Sequence, residues 1–177
     1  SGTVELPFSA VLTVGFGNPS HNFSGVISGA STATFTKMGS GNLTLDGSNS
    51  FTGTYRVNSG FLQISASERI NNSADLIVEG GFFSVQSFTE TVDVVTITAG
   101  GLPQTDGILI GSAYNFEAGF ANIRLGGSAS INKTTTGEFT LFGQNTYTGA
   151  SNVNAGTLII ANNNVLPDTT TVNVSAG

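Results

Sequence analysis

The sequence predicts an all-β chain wound as a solenoid of stacked parallel strands, and three observations carry that prediction. One phrase of about 45 residues occurs twice, short apolar runs alternate with polar residues, and Gly or Asn stands at most breaks between runs. Repetition at a fixed offset is the signature of architectures built from one stacked unit. Alternation with period 2 marks a strand with one buried face. Gly and Asn tolerate the tight corners that such strands need between them.

The repeat aligns without a gap. Sliding the chain by 96 positions superposes Lys37–Gly81 on Lys133–Gly177, and about a dozen positions are identical. Among them are Gly47/Gly143, Asn49/Asn145, Thr52/Thr148, Gly53/Gly149, Asn58/Asn154 and Gly60/Gly156. These twelve residues are the expected structural positions: the glycines turn the chain, and the asparagines tie corners to neighbouring turns. Elsewhere character is kept, as in Leu43 to Phe139 and Phe51 to Tyr147.

In chain order, the first copy supplies the alternating pairs Leu43-x-Leu45, Leu62-x-Ile64 and Leu76-x-Val78. The connecting stretch adds Phe83-x-Val85, Val95-x-Ile97 and Ile108-x-Ile110, and the second copy repeats the first with Phe139-x-Leu141, Leu158-x-Ile160 and Val172-x-Val174. The stretch before the first copy, "NFSGVISGASTATFTKMGSGNLTL", has the same texture. No window carries clean helical periodicity, and no composition break divides the chain. One continuous domain over 1–177 follows, with repeat copies at 37–81 and 133–177.

A sandwich of antiparallel sheets is the alternative. It would show long alternating strands joined by two-residue Asn-Gly or Asp-Gly turns. The runs here are only three to five residues long, which suits a coil whose strands stack on their equivalents one turn away. Turns of ~20–25 residues, as in known parallel β-helices, give roughly eight of them and, at ~4.8 Å each, a rod about 40 Å long. Equivalent Asn amides are expected to bond along a ladder between turns.

Composition narrows the function classes. Hydrophobic residues are 38% and charged residues only 9%, against roughly 25% charged in an ordinary domain. Gly, Ser, Thr and Asn replace the missing charge, so the chain reads as folded with a neutral polar surface. A net charge of −6, with Lys37, Arg56, Arg69, Arg124 and Lys133 scattered singly, argues against nucleic acid and anionic lipid, which both need clustered cations. The absence of Cys removes disulfide and thiolate chemistry. No apolar run approaches the ~18 residues of a membrane span. Both ends read as cuts through a longer protein.

No catalytic, cofactor or metal site is expected. His21 is the sole histidine and reads as a surface loop residue without triad partners. Asp46-Gly-Ser-Asn-Ser resembles the start of a calcium loop, but the later acids are missing and Phe142 stands at the aligned place. Glu68, Asp75 and Glu79 are a candidate acidic group on one face, with no histidine near. The aromatic stretches Gly80–Phe88 and Tyr114–Phe120 read as core, with Phe83, Val85 and Phe116 inward; an exposed strip for glycan or protein contact is the other reading.

"KMGSGNLTLDGSNSFTGTYRVNSGFLQI" and "KTTTGEFTLFGQNTYTGASNVNAGTLII" closely resemble the passenger-associated transport repeat of bacterial autotransporter passengers, and "FSGVISG" (Phe23–Gly29) is similar to its lead-in. Departures are Thr135 where Gly is usual, and Thr54-Tyr55 or Ala150-Ser151 where Gly-Thr is usual. The resemblance implies a right-handed β-helix displayed outside a bacterial cell, exported through an outer-membrane barrel that these residues do not include. It implies a non-enzymatic stalk supporting export and display of an adhesive or effector region. Direct adhesion to glycans or sister molecules is the second reading, and a polysaccharide-degrading β-helix enzyme the third. A truncated solenoid also leaves unpaired strands, so end-to-end self-association is expected.

Overall fold

The computed structural model describes residues 2–175, and its described residues form strands and connecting corners with no helix. Ser1 and the last two positions of the second copy, including the Gly81/Gly177 match, lie outside the described residues.

The strands run in chain order as follows. The first turns hold β1 (Thr3–Leu6), β2 (Val11–Val14), β3 (His21–Phe23), β4 (Val26–Gly29), β5 (Thr34–Lys37) and β6 (Asn42–Leu45). Next come β7 (Thr54–Val57), β8 (Phe61–Ile64), β9 (Asp75–Ser84), β10 (Thr89–Thr91), β11 (Val94–Leu102) and β12 (Ile108–Ile110). The last turns hold β13 (Ala113–Phe116), β14 (Gly119–Ala121), β15 (Arg124–Gly126), β16 (Ile131–Lys133), β17 (Glu138–Leu141), β18 (Ser151–Val153), β19 (Thr157–Ile160) and β20 (Val172–Val174).

Every pairing given for these strands is parallel, and they stack into three faces. The longest ladder runs β2-β5-β7-β9-β11-β13-β16-β18-β20, nine strands for nine turns. A second ladder takes β3, β6 and β8, passes through the later halves of β9 and β11, and continues through β14, β17 and β19. The third face is discontinuous: β1 pairs β4, and separately β10 pairs β12, which pairs β15. A turn takes between 17 and 23 residues, slightly fewer than the expected length, which is why nine turns fit instead of eight.

Register explains the burial. On the long face Phe35, Tyr55, Leu76, Val95, Tyr114 and Ile131 stack one above another and are all buried. Leu62, Phe83, Leu102, Ala121 and Leu141 line the second face of the bore, closed from the third by Ile27, Ile70, Leu109 and Leu125. The Phe116 and Phe139 rings stack at 4.0 Å with an interplanar angle of 9°. Tyr114 keeps its hydroxyl satisfied inside this core: its one proton faces the Gly126 carbonyl (2.7 Å) with the Leu109 carbonyl also in reach (2.9 Å), and its oxygen accepts from the Gly111 N–H. Burial pushes that phenol up to about 12.

Three sequence expectations are corrected here. Ile108 and Ile110 do form a strand, but the inward residue is Leu109 between them. The alternation was read in the wrong phase, because a three-residue strand of continuous Ile-Leu-Ile gives no polar partner to set it. The aromatic stretches are not all core: Phe83 and Phe116 point inward, whereas Phe82 is half-buried on the outside against Phe61 (4.9 Å) and Phe120 (6.1 Å). Ile160, Val172 and Val174, read as bore-filling, are 41%, 50% and 71% exposed, since no further described turn covers them.

The anticipated Asn ladder exists, but on a strand and not at the corners. Asn115, Asn132, Asn152 and Asn173 occupy one outward register of β13, β16, β18 and β20. Asn152 donates to Asn132 at 2.9 Å, Asn173 to Asn152 at 2.8 Å, and Asn132 to Asn115 at 3.4 Å. The outward Arg56 of β7 likewise pairs with Glu79, midway along β9 of the next turn.

Candidate functional site

The two repeat copies sit five turns apart. Following the register upward, Lys37 meets Val57, Val78, Ile97, Phe116 and then Lys133. Equivalent residues therefore face the same environment at two heights on the rod.

At Asn49 and Asn145 the third face has no strand, and the side chain takes the place of a peptide group. An Asn amide offers one acceptor oxygen and an N–H donor, as the backbone does. Asn49 Oδ1 accepts the Ile27 N–H of the turn before (2.7 Å), while Nδ2 donates to the Arg69 carbonyl of the turn after (2.8 Å). Asn145 does the same between the Leu125 N–H and the Val165 carbonyl, at 2.9 Å each. Both side chains are buried, so these bonds satisfy backbone groups that water does not reach. The two following residues return the contact: Ser50 and Phe51 donate to the Ile27 carbonyl, as Thr146 and Tyr147 do to that of Leu125.

The glycines answer to two constraints. Gly47 and Gly143 pass so close to the preceding turn that a Cβ would overlap the carbonyl oxygens of Gly25 and Ile123. Gly53 and Gly149 approach the Ala33 and Ala129 carbonyls in the same way. Of these six glycines, Gly60 and Gly156 alone turn the chain through a left-handed conformation, with φ of 64° and 68°. Asn58 and Asn154 extend the ladder through their N–H groups to the carbonyls of Lys37 (3.0 Å) and Lys133 (2.8 Å). Thr52 is half-buried; Thr148 is exposed and donates its N–H to Gly127.

Lys37 and Lys133 were not singled out by sequence reasoning, yet both are buried. Lys37 Nζ donates to the carbonyls of Met38 (2.6 Å), Gly39 (2.9 Å) and, from the next turn, Ser59 (3.2 Å). Lys133 Nζ donates to the Thr135 carbonyl, to Thr135 Oγ1 (3.3 Å) and to the Ala155 carbonyl of the next turn (3.4 Å). Each ammonium thus ties together carbonyls that the strand ladder has released at the corner. A Cβ on Gly60 or Gly156 would stand 2.9 or 2.8 Å from that Nζ, so lysine and glycine form one device. Burial lowers both lysines from their ordinary value, with Glu117 opposing at Lys133. Their recurrence at the head of each copy was the available signal.

Departures between copies are compensated locally. Where Gly39 has φ of 72°, Thr135 is not left-handed, and its hydroxyl both accepts from Lys133 and donates to the Glu117 carbonyl at 3.1 Å. Phe51 packs on the Tyr55 ring at 5.3 Å, whereas Tyr147 instead bonds the small Ser151 through its hydroxyl at 2.6 Å.

The candidate chemical groups do not assemble. His21 lies exposed in β3, a strand and not a loop. Asp75 and Glu79 share the outward row of β9 and Glu68 lies at a corner, but each is already engaged: Glu68 accepts from Thr91, Asp75 accepts the Val94 N–H, and Glu79 pairs with Arg56. Among the described residues no three His, Cys, Asp or Glu side chains gather to hold a metal. Glu90, unremarked in the sequence, is fully buried and accepts the N–H groups of Arg69 (2.9 Å) and Ile70 (2.6 Å). Burial and the charge of Glu68 raise it to about 7 against the lowering effect of the N–H groups of Arg69, Ile70 and Glu68.

The family model of the passenger-associated-transport-repeat matches the chain twice, over residues 35–64 and 131–160. Both matches begin just before the buried lysine and end at the strand that follows the left-handed glycine. No curated protein and no solved structure matches the chain significantly.

Asn49→Ala strands the buried Ile27 N–H and is expected to cost roughly 1–3 kcal/mol, read as a lowered urea midpoint. Asn163→Ala, at an exposed position, should stay within about 0.5 kcal/mol; equal effects would refute the peptide-surrogate role. Glu90 gives a pH signature. Between the ordinary carboxylate range and about 7, the folded chain keeps a proton that the unfolded chain has released, so stability falls as pH rises. The decline of Tm between pH 5 and 8 should be shallower in Glu90→Gln, and superposable slopes would show that Glu90 does not carry it.

Proposed function

We propose, from the premise that the chain carries two copies of the passenger-associated-transport-repeat, that it is a non-enzymatic scaffold segment of an autotransporter passenger. Its role is to support export and to hold an adhesive or effector region away from a bacterial surface. The repeat and the β-solenoid fit a passenger-domain scaffold, and the repeat family implies a secreted or surface-exposed protein. The observation that carries the reading is the use of the matched residues. Lys37/Lys133, Asn49/Asn145 and Gly60/Gly156 all spend their polar or steric specificity on joining one turn to the next. Residues that are occupied with backbone carbonyls and N–H groups are not free to recognise a substrate.

The end turns favour a second, compatible property. Among the described residues β2 pairs with β5 and β20 with β18, and no described strand covers the other edge of either. Phe8 (78%), Phe16 (73%) and Val174 (71%) are exposed beside them. Unpaired strand edges with apolar neighbours template further pairing, and we infer that copies of this chain stack end to end.

Length tests the scaffold reading. Removing residues 38–133 joins two equivalent corners and shortens the rod by about 24 Å, five turns at ~4.8 Å. Fused to a surface-display barrel, the shortened chain should still present an N-terminal epitope, while a deletion of ten fewer residues should not. Equal display by both deletions would overturn the scaffold role. Stacking is read by sedimentation: association should rise with concentration and weaken in Val172→Lys. A strictly monomeric chain at millimolar concentration would refute it.

A further inference from the structure

One corner of the rod leaves most of its polar side chains off the ladder. Between the second and third faces, four successive turns bring together the loop after β11, the corner after β14, the corner after β17 and Asn162. They enclose a cavity of about 280 Å³. Its wall holds Thr105, Asp106, Asn122, Arg124, Phe142 and Gln144. Asn162 Nδ2 donates to the Phe142 carbonyl at 3.1 Å, whereas the side chains of Thr105, Asp106, Asn122, Arg124 and Gln144 make no hydrogen bond among the described residues. The outward residues of the long face bond rung to rung instead, as in the Asn ladder and the Arg56–Glu79 pair.

Two details mark the cavity as more than a rough surface. Asp106 and Arg124 line the same space without forming an ion pair, so a carboxylate acceptor and a guanidinium donor both remain available there. Phe142 belongs to an outward aromatic row that runs down the rod. Its ring lies 6.5 Å from Phe120, which is 6.1 Å from Phe82, itself 4.9 Å from Phe61. Gly101 makes the row continuous, since a Cβ there would meet the Phe120 ring at 2.9 Å.

We propose that this corner binds a neutral oligosaccharide, with a terminal pyranose in the cavity and the following sugars along the aromatic row. A sugar hydroxyl donates and accepts at once, which matches a wall of amides, a carboxylate and a guanidinium. The C–H face of a pyranose stacks on an aromatic face, which Phe142 and Phe120 supply. Asp106 and Arg124 cancel in charge, and the chain carries a net −6, so the site favours a neutral ligand over an acidic one. The volume accommodates about one or two pyranose rings, below the range of drug-sized pockets. The site includes the Phe142–Gln144 corner of the second repeat copy, and it gives the rod a contact function that the scaffold reading does not require.

Saturation-transfer NMR on the intact chain tests this with cellotetraose, mannotetraose, lacto-N-tetraose and, as the acidic arm, sialyllactose. The expected result is transfer to at least one neutral tetrasaccharide, weakened at least tenfold by Asp106→Ala and by Gln144→Ala. Thermal melts of both variants should be unchanged, because neither side chain bonds the protein. Arg56→Ala, on another face, should leave binding intact. The proposal is overturned if no neutral tetrasaccharide shows transfer at millimolar concentration. It is also overturned if sialyllactose alone binds, or if binding survives both cavity substitutions.

Discussion

Everything in this molecule answers to one requirement: each turn must pair its backbone with the turn before and the turn after, at the spacing of a parallel ladder. Where regular strands run, the requirement is met automatically, and the nine-strand face needs no special residue. The difficulty lies at the corners, where the chain changes direction and its carbonyls and N–H groups lose their partners while remaining shielded from water. An unpaired buried backbone group costs about as much as a lost hydrogen bond, and the penalty recurs at every turn. The repeat is best understood as a set of solutions to that recurring cost.

The solutions differ by position. An Asn amide replaces the missing peptide group at one corner, a lysine ammonium gathers released carbonyls at another, and glycine admits the neighbouring turn where any side chain would overlap it. Each is a single residue acting across turns, so substitutions are tolerated when the neighbour changes too. Thr135 takes over from a left-handed glycine by adding its own hydroxyl bond, and Tyr147 with Ser151 replaces Phe51 with Tyr55. The copies have diverged in composition while the bonds between turns persist.

Outside the ladder, the surface divides into occupied and free parts. Outward Asn and Arg side chains on the long face are consumed by contacts between neighbouring turns. Such contacts add a little stability each and leave nothing for a partner. The corner around Phe142 is different because a five-residue excursion after β11 meets shorter corners on the following turns, opening a cavity with polar groups unspent. Scaffold and contact surface thus coexist on one rod, meeting at the Phe142–Gln144 corner of the second copy.

The sequence by itself determined the strand class, the parallel stacking and the equivalence of the two copies, because period-2 alternation and a gap-free offset are local and countable. It also pointed to Asn49, Asn145 and the glycines, though not to what each does: amide surrogate, close approach and left-handed turn look alike as letters. Lys37, Lys133 and Glu90 were illegible as buried groups, since charged residues are ordinarily exposed. Only the partners in adjacent turns, some twenty residues away, reveal why these three are inside. The phase of Ile108–Ile110 and the outward Phe82 and Phe120 were likewise decided by register. Pairing with the neighbouring turn, not the side chain's own hydrophobicity, sets which face of a three-residue strand turns inward. The cavity at Phe142 belongs wholly to the tertiary structure, because its wall comes from four turns whose residues are distant in the chain and meet only once the ladder has stacked them.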